Sequence, residues 1–269
     1  MTTTLTAVIA QPPSGRSRAV VLDVHDYAQS VILQGRDVPW HEPMAYSNFF
    51  AQAQGLLTPD VALLSLDRFY AHALSGNTRL HAAMSTKTRT GYALRTLLGD
   101  AETTMQAVEL ATIFAKTQRE PVVLHIPSPM QWLARTHHYS GSAEIGELDA
   151  DDAENVSMYV ADWLRGFASL PLAGVLLDDR AAVGGPIPAT VELGTYSPVA
   201  NVTDHYRWSL GLRRADHVEL RGVDLVGAVI SPDFWLEEAV KLPSGDFLVS
   251  EIPRTAVPEH VLTRISTLS

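Results

Sequence analysis

The chain has 269 residues, 46% of them hydrophobic and 19% charged, enough to build the core of one large α/β barrel or of two small domains. Thirty acidic residues against twenty Lys plus Arg give a formal net charge of −10, which repels a phosphate backbone or an anionic membrane, and Arg213-Arg214 is the only adjacent basic pair. No cysteine is present, which excludes disulfides, thiol nucleophiles, thiolate zinc sites and iron–sulfur clusters together.

Residues 11–18 are rich in Pro, Gly and Ser and form turns. They set apart residues 1–18 as a leader, either a frayed tail or an edge strand, ahead of a single domain at 19–269. The leader lacks the basic opening and long apolar run of a secretory signal, and no apolar stretch reaches the ~20 residues of a membrane span, so a cytoplasmic protein is expected. The first strand is 19–24. From Met44 to Ser75 the pattern is helical, broken at Thr58-Pro59-Asp60, where a Thr cap and a Pro open a second helix. Residues 76–100 carry little periodicity. A helix over 102–117 leads into Val122-Val123-Leu124-His125-Ile126, a continuous apolar run typical of a buried parallel strand.

Behind Asp151-Asp152, the residues Val156, Tyr159, Val160, Trp163, Leu164 and Phe167 recur at helical spacing and predict a helix with one wide buried face. A strand at 172–177 follows and ends at Asp178-Asp179-Arg180. Further strands are expected at 189–195, 216–220, 223–230 and 246–251, with helices near 199–213, 232–241 and 257–267. Helices alternating with apolar strands predict an α/β fold with a largely parallel sheet.

Residues 189–222 read as a strand, the Tyr196-Ser197 turn, a helix and a second strand bearing an acid, Glu219. That order resembles the metal-binding segment of the barrel of cobalamin-independent methionine synthases, within the superfamily that also holds uroporphyrinogen decarboxylase. Three more segments fall in the order this family requires: Pro121–Met130, Leu176–Arg180 and Glu251–His260. The resemblance covers about 120–269 and implies a TIM-type (β/α)₈ barrel, in a complete or an incomplete and distorted form. It also implies that the acid at 178–179 sits where the family binds its amino acid substrate. The family's His-x-Cys zinc ligands fall on Leu193 and Thr195, which supply neither a nitrogen nor a thiolate, so no metal and no cofactor are expected.

In such a barrel the functional side chains gather at the C-terminal ends of the strands. That rule selects His25, Asp26, His125, Asp178, Asp179, Tyr196, Glu219, Arg221, Asp233 and Arg254, with Trp40 and Trp235 as apolar pocket walls. Adjacent side chains on a strand point oppositely, so one of Asp178 and Asp179 faces the pocket. His137-His138 and Asp204 with His205 offer nitrogen and oxygen ligands, but in no spacing that closes on one ion. Gly184-Gly185-Pro186 makes a turn and lacks the pattern of a phosphate loop.

The expected function is zinc-independent acid–base chemistry of the lyase, hydrolase or isomerase type on a small organic substrate. In that expectation Asp178 or Asp179 polarises the substrate, His125 moves a proton and Tyr196 supports developing negative charge. His25, Asp26, Trp40, Glu219, Arg221, Trp235 and Arg254 bind the substrate. A divergent one-carbon or alkyl transferase and a non-catalytic ligand-binding subunit are the alternatives. No nucleic-acid or membrane partner is expected, and a homo-oligomer is compatible with the sequence.

Overall fold

Eight short strands form one sheet that curls into a nearly closed barrel, with helices packed over its outer face. The computed structural model describes residues 3–141, 145–182, 184–185, 187–237 and 240–268.

The chain opens with helix α1 (Leu5–Ala10), capped by the Thr4 hydroxyl, which accepts the Ala7 N–H. Strand β1 (Val20–Asp23) and helices α2 (His25–Val31) and α3 (Pro43–Leu57) follow. Strand β2 (Ala62–Ser65) comes next, then α4 (Leu66–Leu74), α5 (Thr78–Met84), α6 (Tyr92–Leu98) and α7 (Ala101–Thr117). Strand β3 (Val122–Pro127) precedes α8 (Pro129–His137) and α9 (Ala150–Leu164), and β4 (Leu172–Asp178) precedes α10 (Ser197–Tyr206). Strands β5 (Ser209–Arg213), β6 (His217–Leu220) and β7 (Val226–Ile230) run on with only turns between them. Helix α11 (Asp233–Leu236), strand β8 (Phe247–Glu251) and helix α12 (Pro258–Ser266) complete the chain. The sheet order is β1-β8-β7-β6-β5-β4-β3-β2, parallel throughout except that β6 runs antiparallel to both neighbours. A β5–β6–β7 meander thus stands where a regular (β/α)₈ barrel has helical crossovers.

Side-chain alternation divides the strands between two cores. Val20, Leu22, Leu64, Leu124, Ile126, Leu177 and Leu212 face outward against the helices. Val21, Leu63, Val123, Ala173, Leu176, Val218, Phe247 and Val249 fill the barrel, together with Leu5, Val8 and Ile9 of α1. The leader is therefore neither a frayed tail nor an edge strand: its helix plugs the barrel at the N-terminal ends of the strands. Three apolar residues in one short helix carry too little periodicity to be recognised without that partner surface.

The gap in the barrel is bridged by the backbone and side chain of one residue. Strands β1 and β2 end the sheet order, and Asp60, wholly buried just before β2, bridges them. Its N–H donates to the Val20 carbonyl at 2.9 Å, and its Oδ2 accepts the Val20 N–H at 2.8 Å. Oδ1 accepts the Ser14 N–H at 2.9 Å, and Arg16 lies 3.6 Å from Oδ2.

Several expected elements differ. The helical reading through Thr58–Ser75 missed β2, because four fully buried residues between two helices show no alternation. No strand forms at 189–195. Val191 and Leu193 are buried in a loop that tightens into a 3₁₀ turn at Leu193–Tyr196. The helix expected over 199–213 ends at Tyr206, where Arg207 takes a left-handed conformation (φ 60°), and Ser209–Arg213 is strand β5. These two changes make residues 179–208 a single crossover that contains α10, long enough for a parallel connection. The helix expected at 232–241 is confined to Asp233–Leu236, with residues 238 and 239 outside the described set, as are Val183 and Pro186 of the Gly-Pro turn. Among the described residues no helix is long and apolar enough to cross a membrane.

Candidate functional site

Parallel strands deliver their inward-facing C-terminal residues to one end of the barrel, and here most of those residues are polar. Asp23 of β1, Ser65 of β2, His125 of β3, Asp178 of β4, Arg213 of β5 and Glu251 of β8 form the layer above the apolar barrel interior. A cavity of about 260 Å³ opens over them, lined by Asp23, His125, Asp178 and Glu251 with Asp67 and Arg68 of α4, Arg135 of α8, and Arg180, Ala181 and Ala182 of the loop after β4.

A bulge sets the direction of Asp178. Val122 pairs with Leu172 and Val123 with Gly174, so Ala173 is an extra residue in β4. Leu172 faces outward and Ala173 inward; after the bulge Val175 faces outward and Leu176 inward. Without the extra residue every later side chain would point to the opposite face, and Asp178 would leave the barrel. Gly174 permits the approach, since a Cβ there would lie 2.7 Å from the Ser209 carbonyl oxygen.

His125 and Asp178 meet at the centre, with Nε2 3.0 Å from Asp178 Oδ2 and both side chains buried. Arg180 folds back on the same carboxylate, donating from its backbone N–H and Nε to Oδ1 at 3.0 and 2.9 Å and from Nη2 to Oδ2 at 2.7 Å. Burial by itself raises the Asp178 carboxyl, but the bonds from His125 and Arg180 outweigh it and hold the group well below the usual carboxylate range. His125 Nε2 is held by the ionised Asp178, and its Nδ1 is buried without a hydrogen-bond partner among the described residues. Ser65, the register partner of His125, also has a buried hydroxyl without a partner among the described residues.

Ion pairs extend the site around the rim. Arg68 donates from Nη1 to Asp23 Oδ2 at 2.7 Å and grips Asp26 at 3.1 and 3.2 Å. Arg180 Nη1 reaches Glu251 Oε2 at 3.1 Å, and Arg135 Nη1 reaches Asp67 Oδ1 at 2.7 Å. Asp23 is desolvated by burial, yet Arg68 keeps its carboxyl far below the ordinary value. Among the described residues no group of three or more His, Asp or Glu is placed to hold a metal ion.

The remaining residues expected at the site are dispersed. Asp179, next to Asp178 on the strand, points outward to the Ser128 hydroxyl at 2.6 Å and to Arg214 Nη1 at 2.5 Å. Burial raises its carboxyl. Tyr196 is fully buried outside the cavity, where burial pushes its phenol up. Glu219 pairs with outward-facing Leu212 in register and lies 3.4 Å from Arg214 Nη2, so it belongs to that outer cluster. Arg221 follows the antiparallel β6 and emerges at the N-terminal end of the barrel, paired with Asp204 on the surface. His25 is buried and stacks on Trp40, with centroids 5.2 Å apart; Trp40 thus braces the loop after β1 and lines no part of the cavity. Asp26 touches the rim through Arg68. Trp235 is buried and donates to Ser250 Oγ on the outer face of β8, while Asp233 and Arg254 are exposed.

Sequence reasoning missed Asp23, Ser65, Arg68, Arg135, Arg213 and Glu251. The strand-end rule finds Asp23 and Glu251 once inward and outward positions are separated, whereas Ser65 and Arg68 depended on recognising β2. No family model matches the chain, and no curated protein or solved structure matches it either.

Proposed function

We propose that this cavity is the active site of a zinc-independent acid–base enzyme that acts on a small organic substrate in a lyase, hydrolase or isomerase reaction. The supporting observation is the buried His125–Asp178 pair, 3.0 Å apart, at the C-terminal ends of adjacent strands beneath a ring of guanidinium groups. An ionised carboxylate that holds one imidazole nitrogen as a donor leaves the other able to accept a proton, and it stabilises the imidazolium that results. In this reading Nδ1 of His125 takes the substrate proton and Asp178 orients the ring. Arg180 and Arg68 face the cavity, where they oppose negative charge developing on substrate oxygen. Asp179 and Tyr196 have no part in this step.

Leu193 and Thr195, at the positions that resemble the methionine synthase zinc ligands, offer no metal donor, which favours acid–base over thiol-alkylating chemistry. A cytoplasmic, small-molecule enzyme accords with the cysteine-free, acidic composition.

The test is conversion of a pooled metabolite mixture followed by mass spectrometry, comparing the wild type with His125→Gln and Asp178→Asn. Both variants are expected to lose about a hundredfold or more in turnover while remaining folded. Undiminished turnover in both removes the proposal, and saturable binding without conversion in the wild type assigns the cavity to a ligand-binding protein instead.

A further inference from the structure

Among the described residues, Arg213 is the cation of the barrel's polar layer that the ion pairs leave over. It is the last residue of β5, it pairs in register with Asp178, and it is 2% exposed. Its Nε and Nη1 are buried without a hydrogen-bond partner, and no hydrogen bond from its side chain occurs among the described residues. The surrounding carboxylates are already engaged. Asp178 Oδ1 and Oδ2 are taken by Arg180 and His125, Asp23 by Arg68 and the His25 N–H, and Glu251 by Arg180 and Arg68. Arg68, Arg135 and Arg180, by contrast, each have a carboxylate within 2.7 to 3.1 Å.

A buried guanidinium with unmet donors is costly, because its hydration is lost and no acceptor replaces the water. Burial, reinforced by the nearby positive charge of Arg180, lowers the affinity of Arg213 for its proton despite Asp178, Asp23 and Glu251 close by. The nearby carboxylates are thus spent on other donors, and the Arg213 donors have no acceptor among the described residues. The same group shares the inward-facing layer of the His125–Asp178 pair as the register partner of Asp178; it lies beneath the residues that line the cavity of about 260 Å³, so a ligand meets it only by reaching past Asp178 and Arg180.

We propose that Arg213 is the anchor for a carboxylate on the substrate, so that the cavity takes small carboxylic acids. The inference rests on the acid–base reading for the position of the ligand. A planar carboxylate presents two acceptors to a planar guanidinium, and the pair is stronger and more directional than a contact to a neutral oxygen. Four guanidinium groups, Arg213 included, already stand beside Asp23, Asp67, Asp178 and Glu251, so one added negative charge is tolerated better than the two of a phosphate ester. The carboxylate would meet the donors that no described residue meets, and the ligand's reactive carbon would then lie near His125.

Thermal unfolding of the full chain tests this with acetate, succinate and benzoate as probes, and with dimethyl succinate and inorganic phosphate as controls at matched ionic strength. At least one carboxylate is expected to raise the Tm of the wild type, by about 5 °C when it exceeds its Kd about a hundredfold. The diester should give no rise and phosphate a smaller one. Arg213→Met removes an unpaired buried charge, so without ligand its Tm should equal or exceed that of the wild type, and the carboxylate response should vanish. Arg213→Lys, which keeps the charge but loses the fork, should weaken binding about tenfold. His125→Gln should keep the response while losing turnover, which separates failure of the anchor from failure of the acid–base reading. No response to any carboxylate, a diester that stabilises as well as the acid, or a response retained in Arg213→Met overturns the proposal. A ligand-free Tm of Arg213→Met more than ~2 °C below the wild type also overturns it, since Arg213 would then be a structural cation.

Discussion

Removal of the Asp60 carboxylate tests whether the barrel is held shut by one side chain. In Asp60→Ala the Val20 and Ser14 N–H groups lose acceptors at 2.8 and 2.9 Å, and Arg16 loses a charge 3.6 Å away. Val20 is fully buried, so water cannot replace the bond to its N–H. A stranded buried donor costs about 1–3 kcal/mol, the second N–H and the released arginine add about 1–2 kcal/mol, and the total is about 2–5 kcal/mol. Asp60→Asn keeps one acceptor and replaces the other with a donor, for a loss of about 2 kcal/mol. Against a domain stability of roughly 5–15 kcal/mol, the alanine variant should show a large fall in the urea midpoint at nearly unchanged slope. Ser14→Ala serves as a control, because only the backbone N–H of that residue meets Asp60. A loss under about 1 kcal/mol in Asp60→Ala would refute the bridge as the closing element and leave closure to packing within the barrel.

Three further outcomes follow from the same structure. Because the Asp178 and Asp23 carboxyls are held below their unfolded values, their contribution to stability is complete above roughly pH 4 and is lost as pH falls below that, so acid titration of Asp178→Asn should show a flatter acid limb than the wild type. Leu5→Ala and Ile9→Ala, which hollow out the plug at the base of the barrel, should each cost about 2–5 kcal/mol in urea unfolding; losses below about 1 kcal/mol would mean that α1 lies loosely on the barrel. Tyr196→Phe and Asp179→Asn should leave turnover within about twofold of the wild type, and a hundredfold loss in either would move the reacting centre out of the cavity to the Ser128–Asp179–Arg214 cluster.

The fold class was legible because long apolar runs such as Val122–Ile126 and Leu172–Leu177 between amphipathic helices leave few arrangements other than a parallel sheet. Short elements were not. The four residues of β2 have no periodicity of their own, and β5 follows a helix so closely that its apolar residues continued the helical pattern. The antiparallel β6 sent Arg221 to the wrong end of the barrel, because the strand-end rule assumes that all strands run the same way. For the site the decisive property was side-chain parity, which one bulge reverses in β4. Asp178-Asp179 and Arg213-Arg214 lie on neighbouring strands, with Asp178 opposite Arg213. In each pair one residue faces the barrel and the next faces out. Outside, Asp179 and Arg214 satisfy one another at 2.5 Å. Inside, His125 and Arg180 claim Asp178, and Arg213 is left without a partner among the described residues. The adjacent arginines, which composition presents as one basic pair, thus have opposite fates: Arg214 completes the packing of the outer layer, and Arg213 remains a buried charge without a hydrogen-bond partner among the described residues.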